Sequence, residues 1–203
     1  MYPSLWYLKH CAESEGGITS CFYMFTEWVH GIDFDNNPAI VYERWGIANS
    51  LHVIAMAHDL IGLPRQVTAF RSGCLPWHRA GSRFAGAGIA GNEVPFSYHA
   101  NWESAGRWGI EVMTPQSAYR LIPLEKLSVC ARESVEWHSV DVVAAYPEAK
   151  EGVAEQIAVM LEPTLEPHLP LMDLHRTASV IRLAENIFGY PAELDGSVLL
   201  ENK

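Results

Sequence analysis

The chain has 203 residues, of which 49% are hydrophobic and 11% aromatic, and its formal charge is −10. This length fits one domain that buries a core of its own, and the hydrophobic fraction excludes a disordered chain. The acidic balance argues against nonspecific binding to nucleic acid or anionic lipid, because that binding requires a basic surface. The charge is uneven: residues 133–203 hold 13 acidic and 4 basic groups, whereas residues 60–132 hold 8 basic and 4 acidic ones. The local excess of +4 leaves room for an anionic small ligand.

The start of the sequence lacks the pattern of a targeting signal. Residues 1–11 have no basic region followed by an apolar run. No stretch approaches the roughly 18 consecutive apolar residues of a transmembrane helix. We therefore expect a cytoplasmic protein with no membrane partner.

The first predicted elements are a short helix and a long alternating segment. Leu5 and Leu8 belong to a helix that ends at Gly16 and Gly17. Residues 18–28 then alternate between two apolar faces, which is typical of a strand. Two apolar faces indicate that helices cover one side of a sheet and that something else, such as a second subunit, covers the other.

Residues 49–61 are predicted to form a helix, with Asn49 and His52 three residues apart at its start. If Asn49 or Ser50 caps the helix, His52 lies in the first turn. The partial positive charge there favours the neutral imidazole that a general base requires. Asn49 is then placed to bind a substrate hydroxyl from the same face. His52 and His58 are six residues apart, on opposite helix faces, so a metal site is not indicated.

Residues 86–91 are a literal GxGxxG. A dinucleotide-binding fingerprint needs an apolar strand before this motif and a helix after it. Here Pro95 and an alternating segment follow, which leave no room for a phosphate-binding helix. The motif is therefore predicted to be a glycine-rich strand, where neighbouring groups approach closely.

The other alternating segments are predicted strands, and two helices are predicted after them. The strands are expected within residues 66–71, 94–102, 107–112, 119–124 and 134–142. Their short connections favour antiparallel pairing, because parallel neighbours need a long crossover. An apolar stripe predicts a helix over 153–161, and a second helix is predicted with Asp173 as N-cap and Gly189 as C-cap. The fold class is α+β: an open, mostly antiparallel sheet with helices packed on one face.

Several of these segments together resemble the Gfo/Idh/MocA family of NAD(P)-dependent oxidoreductases, which includes glucose–fructose oxidoreductase and inositol dehydrogenase. Residues 49–64, NSLHVIAMAHDLIGLP, are similar to its NSxHVIDLAxxLIGxP stretch. Residues 102–111, WESAGRWGIE, resemble its W-x-x-x-G-R-W-x-I-E strand pair, and residues 123–127 match its PLEKL segment. The opening residues and the FTEW of residues 25–28 resemble the passage that follows the family's NAD domain.

The resemblance implies that residues 1–203 form a single domain similar to the family's C-terminal domain. That domain supplies part of a sugar or cyclitol site and often the oligomer interface, through its open sheet face. In the family, an N-terminal Rossmann domain binds NAD(P) and carries the catalytic lysine of an EKP motif, and this sequence contains neither. We therefore expect a truncated, homo-oligomeric chain that binds no cofactor alone and needs a separate Rossmann-domain chain for dehydrogenation.

The resemblance also implies roles for two residues. His52 matches by position the family histidine that exchanges a proton with the substrate hydroxyl, and Asn49 would orient the substrate. Many members carry Asp four residues before that histidine and three residues after it, where this sequence has Ala48 and Ala55. The expected ligand is a sugar, cyclitol or nucleotide sugar. Two alternatives stay open: a noncatalytic sugar-binding or scaffold module, and a cofactor-independent sugar lyase or epimerase that uses His52.

Overall fold

A computed structural model describes residues 2–144, 146, 148–150, 152–165 and 172–191. Within them, a single π-helical turn at Gly46–Ser50 leads into the third helix, and 3₁₀ turns lie at Val29–Gly31 and Pro163–Leu165. None of the helices in this part of the chain is long and apolar enough to cross a membrane. The helices are α1 (Pro3–Ser14), α2 (Ala39–Glu43), α3 (Leu51–Ile61), α4 (Val153–Leu161) and α5 (Leu174–Phe188). The strands are β1 (Ser20–Phe25), β2 (Pro64–Ser72), β3 (Arg83–Ala90), β4 (Pro95–Asn101), β5 (Trp108–Met113), β6 (Ser117–Leu121), β7 (Leu127–Ala131) and β8 (His138–Val140).

The strands of the described residues form one open sheet in the order β2-β3-β4-β1-β5-β6-β7-β8. All neighbours pair antiparallel except β1 and β4, which run parallel with Tyr23 opposite Tyr98. The parallel pair arises because β1 is inserted between β4 and β5, which run in opposite directions, so that β1 can be antiparallel to only one of them. The predicted α+β class with a mostly antiparallel sheet is confirmed.

One face of the sheet packs against helices. α3 contacts β1 and β5, α5 contacts β2 and β3, and α1 contacts β6 and β7. Along β1, Cys21, Tyr23 and Phe25 point to the helices and are buried, while Phe22 and Met24 between them are half-buried on the opposite face. The period of two in the sequence therefore corresponds to a covered face and an open face.

The glycine-rich motif forms most of β3, as predicted, and its glycines make room for aromatic rings. A Cβ on Gly86 would overlap the hydroxyl of Tyr98 and the carbonyl oxygen of Thr68. A Cβ on Gly88 would lie 2.7 Å from the ring of Phe96. Only glycine leaves the space into which β4 places these two rings.

The two C-terminal helices form where the sequence predicted them. Oδ1 of Asp173 accepts the N–H of Arg176 at 2.7 Å, and Gly189 ends α5 in the left-handed region at φ 71. The apolar stripe that predicted α4 is largely exposed, since Ile157 is 51% and Met160 75% accessible. The helix prediction is confirmed, although this stripe is not part of the core.

Candidate functional site

His52 and Asn49, the two predicted site residues, lie where the π-helical turn meets α3. His52 is exposed, and its ring centroid is 6.3 Å from the ring of Trp108 at the start of β5. Asn49 is half-buried, and its Nδ2 donates to Oε2 of Glu27 at 2.9 Å. One N–H of the Asn49 amide is therefore already used inside the protein. A ligand can bind to the second N–H and to the carbonyl oxygen Oδ1.

The cap on which the sequence argument for His52 was conditional does not form at Ser50. Ser50 has helical dihedral angles, φ −62 and ψ −18, and its side chain makes no capping hydrogen bond. The π-helical turn runs directly into α3, so His52 does not lie at a free helix N-terminus. The partial positive charge invoked to keep its imidazole neutral is concentrated at free N-terminal amides, so that electrostatic argument does not hold here.

A buried carboxylate, Glu27, holds this corner of the protein together. It lies two residues beyond β1, is only 3% exposed, and accepts hydrogen bonds from Ser50 Oγ at 2.5 Å and from Trp108 Nε1 at 3.2 Å, besides that from Asn49. Burial raises the pKa of Glu27, while the hydrogen bonds from Ser50, Trp108 and Asn49 act in the opposite direction. A carboxylate with this many donors fixes the start of α3 against the sheet.

Sequence reasoning missed Glu27 as a site residue, although the sequence contains a signal for it. The alternation of β1 places Tyr23, Phe25 and Glu27 on the same, helix-facing side. A carboxylate at the next position of an apolar face must be paired when it is buried, because an unpaired buried charge is very costly. That combination predicts a polar cluster at the end of the strand.

Arg107 lies over two tryptophan rings beside this cluster. Its Cζ is 4.7 Å from the ring centroid of Trp28 and 4.6 Å from that of Trp108. Its Nη1 is 3.9 Å from Oε2 of Glu27, and its side chain is 42% exposed. Trp28 is 53% exposed, and its Nε1 donates to the carbonyl of Gly106 at 2.8 Å. The corner thus combines a buried acid, an ordered cation and accessible aromatic rings next to His52.

His58 lies at the opposite end of α3 and is fully buried. Its Nδ1 is 2.8 Å from the carbonyl oxygen of Gly62, and its Nε2 is 3.3 Å from the hydroxyl of Tyr23. Burial lowers the pKa of His58 from 6.5 to about 4. The structure therefore separates His52 and His58, as their spacing predicted. Among the described residues, no group of three or more His, Cys, Asp and Glu side chains is arranged to hold a metal ion.

The glycine motif does not fit a dinucleotide. Gly86 and Gly88 lie inside the sheet, between β2 and β4, and the space beside them is filled by the rings of Tyr98 and Phe96. Strand β4 follows the motif instead of a helix whose N-terminus binds a pyrophosphate. The residues of β3 therefore do not form a nucleotide cradle.

The fold is shared with solved oxidoreductase structures. UDP-N-acetylglucosamine 3-dehydrogenase GnnA from Acidithiobacillus ferrooxidans superposes with a TM-score of 0.64 at 14% identity, over 93% of this chain and 57% of that one. The dehydrogenase MviM from Clostridium difficile gives 0.65 at 14% identity, over 92% and 58%. Levoglucosan dehydrogenase, in complex with NADH and levoglucosan, gives 0.61 at 14% identity, over 93% and 60%.

These neighbours are Gfo/Idh/MocA-type oxidoreductases, so the resemblance seen in the sequence motifs is confirmed at the level of the fold. The chain spans a little over half the length of the structures that it matches. No model of a protein family and no curated protein matches the sequence.

Proposed function

We propose that this chain is the substrate-binding and oligomerisation domain of an NAD(P)-dependent sugar or cyclitol oxidoreductase, and that it does not dehydrogenate alone. The observation that carries the proposal is the position of His52. It is exposed beside Trp108 and the Glu27 cluster, on the helix whose sequence resembles the family's histidine-bearing segment. The shared fold over more than nine-tenths of the chain supports the same assignment.

In this proposal, His52 exchanges a proton with a substrate hydroxyl. A neutral imidazole has one ring nitrogen free to accept that proton, and an exposed side chain is open to a ligand. Asn49, held by Glu27, orients the hydroxyl with its remaining polar groups. In this proposal the hydride acceptor binds to another domain or chain, and the filling of the glycine motif of β3 by side chains supports this.

The oligomer interface in this proposal is the open face of the sheet. On this face a Cβ on Gly109 would lie 2.8 Å from Ile122 and 3.2 Å from Met24, so these side chains adjoin in one apolar patch. Ile122 is 41% and Phe70 65% exposed. Exposed apolar surface of this kind favours association with a second copy.

Binding and turnover measurements test the catalytic part of the proposal. We expect saturation-transfer NMR to detect binding of glucose or myo-inositol by the isolated chain, and weaker binding by Asn49→Ala. Neither the wild type nor this variant should oxidise the sugar when NAD(P) is added. Fluorescence titration should detect no NADH binding by the isolated chain. Turnover without NAD(P) that His52→Ala abolishes would favour the lyase or epimerase alternative, and sugar binding unaffected by Asn49→Ala and His52→Ala would contradict the site.

Light scattering after size-exclusion chromatography tests the interface. We expect the wild type to have the molar mass of a homo-oligomer and Met24→Glu to have a lower molar mass. The reason is that a charge in the patch must be desolvated on association. Leu174→Glu is the matched control, since Leu174 is 86% exposed on α5, at the helix-covered side. A wild-type monomer, or equal masses for all three proteins, would contradict this interface.

A further inference from the structure

Both tryptophans beside Arg107 are fixed by hydrogen bonds from their indole nitrogens. Trp28 Nε1 donates to the carbonyl of Gly106 at 2.8 Å, and Trp108 Nε1 donates to Oε1 of Glu27 at 3.2 Å. The guanidinium of Arg107 lies over both rings, at 4.7 and 4.6 Å. These contacts order a long side chain before any ligand arrives, which reduces the entropy lost on binding.

Among the residues that the structure describes, none accepts a hydrogen bond from the guanidinium of Arg107. Guanidinium N–H groups lie in the plane of the group, so ring contacts with its face do not consume them. Arg107 forms a long ion pair with Glu27, at 3.9 Å, but no hydrogen bond with it, and the oxygens of Glu27 already accept other donors. Arg120 differs, because its Nε and Nη2 both bond to Glu111, at 3.3 and 3.1 Å. Arg107 is thus an ordered, 42% exposed cation whose neighbouring carboxylate is otherwise engaged.

Arg107 and His52 lie against the same indole ring, that of Trp108. The centroid of that ring is 6.3 Å from the His52 ring centroid and 4.6 Å from Arg107 Cζ, so the two side chains border one indole. The planar fork of arginine matches the oxygens of phosphate and carboxylate groups and binds them with two parallel hydrogen bonds.

We propose that Arg107 is the specificity-determining residue of the site and binds an oxyanion, phosphate or carboxylate, carried by the sugar substrate. The sugar part of this inference rests on the proposed function. The anion part rests on Arg107 and its two tryptophans alone. Arg107 is one of the basic residues that give residues 60–132 their excess of positive charge, and in this proposal it is the one that binds the anionic ligand.

Isothermal titration calorimetry of the full chain tests the assignment. The four probes are glucose 6-phosphate, glucuronate, neutral glucose and inorganic phosphate. We expect the anionic sugars to bind more tightly than glucose. Arg107→Gln should raise the Kd of the preferred anionic sugar by about tenfold or more, since a lost hydrogen bond to a charged group costs at least about 1.5 kcal/mol. Arg107→Lys, which keeps the charge without the fork, should give a smaller rise, and glucose binding should not change.

Arg65→Gln is the matched control, because Arg65 is a surface arginine on β2 that pairs with Glu93. It should leave every Kd unchanged, and unfolding curves should show that all variants fold. Comparison of glucose 6-phosphate with glucuronate identifies phosphate or carboxylate as the preferred anion.

The outcomes separate this inference from the proposed function. Equal binding of all three sugars, unaffected by Arg107→Gln, overturns the anion assignment and leaves sugar binding in place. Inorganic phosphate bound through Arg107, with no sugar bound, supports the anion assignment and contradicts the proposed function. Absence of binding by every probe overturns both.

Discussion

The two ends of α3 each present a histidine, and the protein places them in opposite environments. His52 is exposed beside Trp108, whereas His58 is enclosed by Tyr23, Phe96 and the carbonyl of Gly62. His52 is thus an accessible side chain, whereas His58 is a buried core side chain whose Nδ1 is hydrogen-bonded. The comparison shows that position on the helix, rather than residue type, decides which histidine is accessible from outside the protein.

The largest expected effect is the loss of stability on removing the buried histidine. His58→Ala leaves a cavity next to Tyr23 and Phe96 and an unpaired carbonyl at Gly62, so the free energy of unfolding should fall by about 3–5 kcal/mol. Urea denaturation followed by circular dichroism measures this change. A loss below about 1 kcal/mol would mean that His58 is not part of the core.

The pH dependence of stability should come from the same residue. The pKa of His58 is lowered to about 4 by burial, whereas the unfolded chain takes up the proton near 6.5. The contribution of neutral His58 is therefore complete above pH 6.5 and is lost as the pH falls toward 4, by about 3 kcal/mol in total.

His58→Gln removes this titration and keeps a polar side chain. The difference in unfolding free energy between wild type and variant should therefore shrink between pH 6.5 and 4. His78, whose pKa burial also lowers, is present in both proteins, so its contribution cancels. A difference that stays constant over this range would contradict a buried, neutral His58.

At the exposed end of α3, the stabilising group is expected to be Glu27 rather than His52. Glu27→Gln keeps the shape but replaces an acceptor oxygen by a donor amide facing the donors of Ser50 and Asn49. We expect a loss of about 2 kcal/mol in unfolding free energy, measured by urea denaturation. Glu93→Gln, on an exposed surface pair, is the control and should change little. Equal effects of the two variants would remove Glu27 from the stabilising cluster.

The smallest expected effect belongs to His52. His52→Ala removes an exposed ring and should change the free energy of unfolding by less than about 0.5 kcal/mol. Thermal unfolding of His52→Ala and His58→Ala in parallel measures the contrast directly. Similar losses in the two variants would mean that the ends of α3 do not differ in the way described.

Much of the fold followed from local pattern in the sequence. Asp173 and Gly189 mark the ends of α5 by chemistry that is local to the helix termini, and the alternation of β1 defines its two faces. The glycines of β3 were correctly placed in a strand because Pro95 and the alternation after it exclude a helix. In contrast, β7 was not predicted, since its short LSVCA segment has no clear alternation of its own and is fixed by pairing with β6 and β8.

The candidate site was less accessible to sequence reasoning because it is assembled from distant segments. His52 and Asn49 were identified by spacing and by the family resemblance, and their roles stay predictions. Ser50 does not cap α3, because it is already helical in the preceding π-helical turn and donates to Glu27, 23 residues away. The approach of Arg107 to Trp28 depends on the pairing of β1 with β5, and no local pattern states that register.

The central position of β1 has a consequence for how the chain acquires its structure. Apart from the two pairs that include β1, neighbouring strands of the described sheet are consecutive in sequence and can form as hairpins. β1 instead meets residues far along the chain, as where Trp102 donates to the carbonyl of Phe25, 77 residues away. Closing such long loops costs entropy before contacts compensate for it, so long-range pairings form slowly. We therefore expect the rate-limiting step of refolding to be the insertion of the first-synthesised strand between two blocks, β2–β4 and β5–β8, that have formed without it.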